Sequence, residues 1–211
     1  MSTTDSFTVP AINQALLKIG ISRTIADLTE QTEEAHVAGV IYETTLRSVL
    51  RHHPWPFATK YALLVLHSGT AETALNLDWQ YAYTYPADCL FARRILGANH
   101  RRFDENPIEF RMGREGDVRV IYTQCAAPVN LEYTAIFDCP VELVDELFMD
   151  ALTWKLASAI APALIKGADG QESGLRALQM YRATMDIAAT VSAREEQRDP
   201  PGDAEWINAR A

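Results

Sequence analysis

Apolar residues recur at steps of three and four in the two outer parts of the chain and at steps of two in the middle. This pattern predicts helical halves flanking a β-rich insertion. Over residues 10–20, Ile12, Ala15, Leu16 and Ile19 share one helical face, Pro10 suits a first helical position and Gly20 suits a left-handed stop. A second helix is expected over residues 32–53, where Ala35, Ala38, Tyr42, Leu46, Val49 and Leu50 form the stripe and Pro54 ends it. Residues 21–31 between them are too polar and too short for another long helix and read as a connector.

The period changes over residues 57–138. Residues 61–67, 79–85, 118–123 and 130–137 are rich in aromatic and β-branched side chains, and residues 112–117 hold a glycine turn that leads into one of these runs. A small antiparallel sheet is expected, interrupted at Pro86, Ala87 and Asp88. Helical periodicity returns over residues 141–162: Leu143, Val144, Leu147, Phe148, Ala151 and Trp154 fall on one side, and Glu142, Asp145, Glu146 and Asp150 on the other. Pro162 and residues 167–170 should close that helix. A last one is expected over residues 171–195, with Leu175, Leu178, Tyr181 and Met185 inward. The fold class that results is α+β, a mainly helical bundle with a small inserted antiparallel sheet: one domain over residues 1–199, then an extended tail over 200–211.

Composition agrees with a globular chain. Of 211 residues, 48% are hydrophobic and 22% charged, which excludes a disordered or fibrous protein. The 28 acidic against 19 basic residues leave a formal charge of -9, which argues against a protein that binds nucleic acid by neutralising phosphates. Cys89, Cys125 and Cys139 have no Cys-x-x-Cys spacing and read as free, buried thiols. The N-terminus has no leader pattern and no stretch approaches about 18 apolar residues, so a soluble protein made in the cytoplasm is expected.

The familiar catalytic signatures are missing: no Gly-x-Ser-x-Gly elbow, P-loop, dinucleotide fingerprint or His-Glu-x-x-His occurs. Weaker candidates remain. Residues 167–170 precede a helix as a phosphate loop would, but follow a helix and lack the Lys-Ser/Thr pair. His52 and His53 sit where protonated imidazoles can cap helix carbonyls, and adjacent positions cannot easily chelate one ion. His36, His67 and His100 have no ligand spacing to them. Glu142, Glu146 and Asp150 at i, i+4, i+8 could hold Mg²⁺, yet a solvated helix face has the same pattern. Arg101, Arg102, Arg111 and Arg114 form a basic concentration that Asp104, Glu105 and Glu115 can pair. Trp79, Tyr81, Tyr83 and Tyr85 place four rings on one strand face, as core, interface or base-stacking platform.

Taken together, the order of motifs resembles the phage tail tubular protein A family, the head-to-tail adaptors of short-tailed phages. The resemblance rests on Ala15-Leu16-Leu17-Lys18-Ile19-Gly20, on the helix with Ala35 and Tyr42 that runs into His53-Pro54-Trp55-Pro56-Phe57-Ala58, on Trp79-Gln80-Tyr81-Ala82-Tyr83, and on Tyr85-Pro86-Ala87-Asp88-Cys89-Leu90. It continues through residues 151–161, the last helix and Trp206-Ile207-Asn208-Ala209-Arg210. It implies a non-enzymatic virion protein of the tail or neck with no cofactor and no metal. Copies would form a twelve-subunit ring between the portal protein and the tail nozzle protein, of the tail tubular protein B kind, and genome DNA would pass through without sequence-specific binding. Trp206, Ile207 and Arg210 would dock on the portal, with residues 200–202 as hinge. Gly20, Pro54, Trp55, Phe57, Tyr83, Pro86 and Asp88 would serve fold or interface. Another head- or tail-completion protein, or a small Mg-dependent hydrolase or nuclease, are the alternatives.

Overall fold

A computed structural model describes residues 3–67, 79–97, 107–137 and 139–195. Among these residues four helices pack as a bundle, and six strands inserted between the second and third form a β module. The fold is mixed α+β.

Helix α1 (Thr3–Lys18) begins earlier than the sequence predicts, with Pro10 inside it. The reason is Phe7, which is buried and stacks 4.7 Å from Phe137 and 6.4 Å from Phe148; with Ala11 and Ile12 it anchors the first turns in the core. At the other end the expected stop is present. Gly20 has φ +82, its N–H donates to Leu17 O, and Ile21 N donates to Leu16 O, which together satisfy two carbonyls of the last turn.

Helix α2 (Glu33–His52) matches its predicted span closely. Thr32 caps it by accepting from Ala35 N (3.2 Å), and all six predicted stripe residues are buried. Past His53 and Pro54, a 3₁₀ turn (Pro56–Ala58) delivers the chain to the β module.

The strands are β1 (Thr59–Leu63), β2 (Tyr81–Thr84), β3 (Cys89–Gly97), β4 (Phe110–Glu115), β5 (Val118–Thr123) and β6 (Val129–Ala135). They make two three-stranded antiparallel sheets, β1-β6-β3 and β2-β5-β4, where the sequence suggests one. The predicted hairpin is present as β4–β5, turning at Gly116, whose φ is +58. Single bridges, Leu66 to Tyr83 and Ile95 to Ile108, join the sheets at both edges, so the strands follow one another around a barrel-like loop. Its interior holds Leu64, Tyr83, Ile95, Ile121, Val129 and Leu131. Three of the four predicted rings face that interior: Tyr83 is buried in it, and Tyr81 and Tyr85 pack against it. Trp79 packs instead on Ala82, Val120 and Tyr122.

Residues 141–143 form a separate 3₁₀ turn, so α3 (Glu146–Leu164) starts later than predicted. Asp145 sets the boundary by accepting from Leu147 N at 2.6 Å. Glu142 therefore lies off the helix that carries Glu146 and Asp150. Pro162 lies within α3 rather than ending it. Among the described residues, α3 is one helix long and apolar enough to cross a membrane, which the sequence reading does not anticipate. Phe148, Leu152, Leu156 and Ile160 are fully buried on it, and it is the helix against which α1, α2 and α4 (Ala168–Glu195) all pack. Helix α4 begins three residues before the expected start, and its close approach to α3 is licensed by Gly174: a Cβ there would meet Ser158 O at 3.1 Å and Pro162 Cγ at 3.2 Å.

Candidate functional site

The junction between bundle and β module is built around the motif His53-Pro54-Trp55-Pro56-Phe57. Trp55 is buried, donates Nε1–H to Val49 O (3.1 Å), and packs edge-on to Phe148 at 5.1 Å, with Phe57 4.8 Å from the same ring. Arg93 on β3 closes the end of α2. Its Nη2 donates to the carbonyls of Leu50, Arg51 and His53 at 3.3, 3.1 and 2.9 Å, and its Nε donates to Thr134 Oγ1. The expected capping by protonated imidazole is thus corrected: a guanidinium takes those carbonyls. Burial, with Arg93 next, holds the pKa of His53 below its usual value. The two imidazoles turn toward α4 instead, His52 Nδ1 lying 2.7 Å from Tyr181 OH and His53 Nε2 2.9 Å from Ser192 Oγ.

Other motif residues hold the β module together. Asp88 accepts from Tyr133 OH (2.9 Å) and pairs with Lys60 (3.2 Å), and the Tyr133 hydroxyl is pushed up to about 12, by burial before the carboxylate. Tyr83 OH donates to Cys125 O, and Pro86 O accepts from Cys89 N, closing the turn at residues 86–89. The Cys89 thiol is buried and pushed up to about 11 by desolvation, a poor nucleophile. Cys125 and Cys139 are only partly buried, where the sequence suggests buried thiols.

The acidic set separates. Asp150 is engaged internally, pairing with Lys18 of α1 and accepting from Thr184 Oγ1 of α4 (3.2 Å), whereas Glu142 and Glu146 are exposed. Among the described residues no group of three His, Cys, Asp or Glu side chains is placed to hold a metal ion. Arg114 pairs with Asp117 (2.6 Å), not with Glu115, which accepts from Tyr122 OH and faces His67. Arg101, Arg102, Asp104, Glu105, His100, Trp206, Ile207 and Arg210 lie outside the described residues.

Among the described residues, clefts open on two sides of this junction. One, of about 450 Å³, lies between the His53-Pro54-Pro56 corner, Tyr61 and the end of α4 at Ala189, Ser192 and Glu195. The other, of about 820 Å³, separates the C-terminal half of α2 from the β module and carries Arg47, Arg51 and Arg119. Neither Arg93, Ser192 nor the arginine cleft emerges from motif reading. The nearest sequence signal is the spacing of Thr44, Arg47, Ser48 and Arg51, which puts all four on one face of α2. The β module also exposes an apolar row along β1 and its continuation: Tyr61 (55%), Leu63 (62%), Val65 (70%) and Leu66 (52%).

The class of protein so defined is a helical bundle clamped through an arginine to a barrel-like β module, with clefts at the seam and an apolar row along the module. No protein-family model matches the chain, and no curated protein matches its sequence.

Proposed function

We propose that this chain is a structural head-to-tail connector of the tail tubular protein A kind, forming a ring between a portal and a tail nozzle through which genome DNA passes. The observation that carries the reading is the apolar row Tyr61, Leu63, Val65 and Leu66, each more than half exposed, on a module otherwise closed on itself. Large apolar side chains left exposed at successive positions of one strand mark an interaction surface. The motif residues support it as scaffold: Tyr83 and Asp88 fix the module that bears the row, and Trp55 and Phe57 pack the corner from which the module leaves the bundle. Trp206, Ile207 and Arg210 are assigned to portal docking. Mixing the purified protein with portal rings and imaging the product by electron microscopy tests the reading. Ring-shaped density on the portal is expected, with weaker attachment when residues 203–211 are deleted; no association with any portal refutes it.

One observation favours a second reading, a hydrolase: the His53 Nε2 to Ser192 Oγ approach of 2.9 Å beside a cleft. Against it, Ser192 lies within the last turns of α4, whose backbone N–H groups are engaged in the helix and give no oxyanion hole there. Hydrolysis of an activated ester that Ser192→Ala abolishes would favour this reading over the connector.

A further inference from the structure

Arg47, Arg51 and Arg119 converge on one cleft in a chain whose formal charge is -9. Arg47 is held by Glu43 at 2.7 Å. Among the described residues, Arg51 and Arg119 meet no carboxylate at ion-pair distance; each guanidinium lies instead over a ring, Arg51 5.3 Å from the centroid of Phe91 and Arg119 5.7 Å from that of Tyr85. An aromatic face orients a guanidinium while leaving its N–H edges free for an oxyanion. Thr44 and Ser48 add hydroxyls from α2, Leu90, Val118 and Ile136 give the cleft an apolar part, and Asp117 at its edge is paired with Arg114 at 2.6 Å.

The same chain carries a matching shape. In the turn before α3, Leu143 is 66% exposed, with exposed Glu142 beside it and exposed Glu146 three residues on. Neither glutamate forms an ion pair among the described residues. A large apolar side chain flanked by two carboxylates suits a cleft with guanidiniums at its rim and an apolar wall. A nucleic-acid backbone suits it less: it brings no apolar side chain, and the protein's overall charge repels a polyanion.

We infer that the Arg47/Arg51/Arg119 cleft receives the Glu142-Leu143 turn and the Glu146 helix start of a second copy of this chain. The contact joins two different patches, so it is heterologous: every copy offers both halves, and repetition yields a ring or a filament. It rests on the connector reading only for its place in a ring, since copy-to-copy binding is measurable without a portal.

The test is sedimentation velocity of the full chain over a concentration series, at low and at high salt. The expected result is reversible association that weakens with salt. Arg51→Glu with Arg119→Glu in one chain, and Glu142→Arg with Glu146→Arg in another, should each associate at least about tenfold more weakly, and the mixture of the two should recover pairing. Arg51→Gln with Arg119→Gln, with folding checked by circular dichroism, should weaken association in the same direction. A wild type that stays monomeric at its highest soluble concentration, swapped variants that associate like it, or a mixture that does not pair, each overturns the inference. So does an oligodeoxynucleotide whose binding is lost in the Arg51→Glu, Arg119→Glu chain while self-association persists. Self-association that the arginine swaps leave unchanged, with portal capture intact, removes this contact and leaves the connector reading standing; failed portal capture with intact pairing does the reverse.

Discussion

Arg93 on β3 donates from Nη2 to the carbonyl of His53, 2.9 Å away and 40 residues earlier in the chain. Through this bond, and those to Leu50 and Arg51, the β module supplies the cation that the C-terminus of α2 attracts. The link fastens the two halves of the molecule to each other and to Thr134 on the next strand.

Removing that guanidinium should therefore cost stability beyond an ordinary surface arginine. Hydrogen bonds to a charged group and relief of a helix end suggest about 2 kcal/mol for Arg93→Ala. Arg93→Lys should recover part of it, since one ammonium keeps the charge but not the fork that reaches Thr134 as well. Urea unfolding followed by circular dichroism measures both. A loss below about 0.5 kcal/mol for Arg93→Ala, the range of plain surface changes, would contradict the clamp.

Because His53 is buried and the Arg93 guanidinium lies beside it, the imidazole is held toward its neutral form, its pKa below the ordinary 6.5. The sign follows directly: near and below pH 6.5 the unfolded chain binds this proton more readily than the folded one. The folded state thus keeps its full advantage above that pH and loses it as pH falls from 6.5 toward the depressed folded value. One group contributes a slope of at most about 1.4 kcal/mol per pH unit. Stability of wild type minus His53→Gln, measured between pH 7 and pH 5, should fall with pH. A difference that stays flat, or grows as the solution becomes acid, would mean that His53 is not held neutral.

What the sequence discloses of this molecule is what local pattern encodes. The stripe of α2 is legible because six residues at helical spacing all face one core, and Gly20 because a positive φ demands it. The early start of α1 is hidden, since Phe7 is held by Phe137 and Phe148, partners more than a hundred residues away. The split into two sheets is hidden for a similar reason: it depends on which strands pair, and the bridges Leu66–Tyr83 and Ile95–Ile108 carry no local mark. At the site, Trp55 and Asp88 stand out within recognisable motifs. Arg93, Ser192 and Arg119 do not, because each acquires its role from an element distant in sequence.

Trp55 is the packing centre of the junction, fully buried against Phe148 and bonded to Val49 O. Trp55→Ala should cost roughly 3–5 kcal/mol, the range for deleting a large buried ring. Trp55→Phe keeps most of the ring and should cost less, chiefly through the lost donor and a smaller cavity. Thermal melts of the two variants separate packing from hydrogen bonding. Equal losses would place the weight on the Nε1 bond alone.

The carboxylates of α3 offer the sharpest contrast between pattern and structure. By spacing, Glu146 and Asp150 are equivalent members of one polar face, yet Asp150 bridges Lys18 on α1 and Thr184 on α4 while Glu146 faces solvent. The Lys18 side chain is only 19% exposed and lies 4.2 Å from the Trp154 ring centroid, so less solvent can replace Asp150 as its partner than at a surface lysine. The Asp150 side chain is 47% exposed, and solvent screening lowers what the pair is worth. Asp150→Ala should cost about 1 kcal/mol, and Glu146→Ala less than about half of that. In the double-mutant cycle of Lys18→Met with Asp150→Ala, the two losses should be less than additive, because the bond each removes is the same one. Strict additivity would show that Lys18 and Asp150 stabilise the bundle independently, and a larger loss at Glu146 than at Asp150 would reverse the assignment of the interhelical bridge.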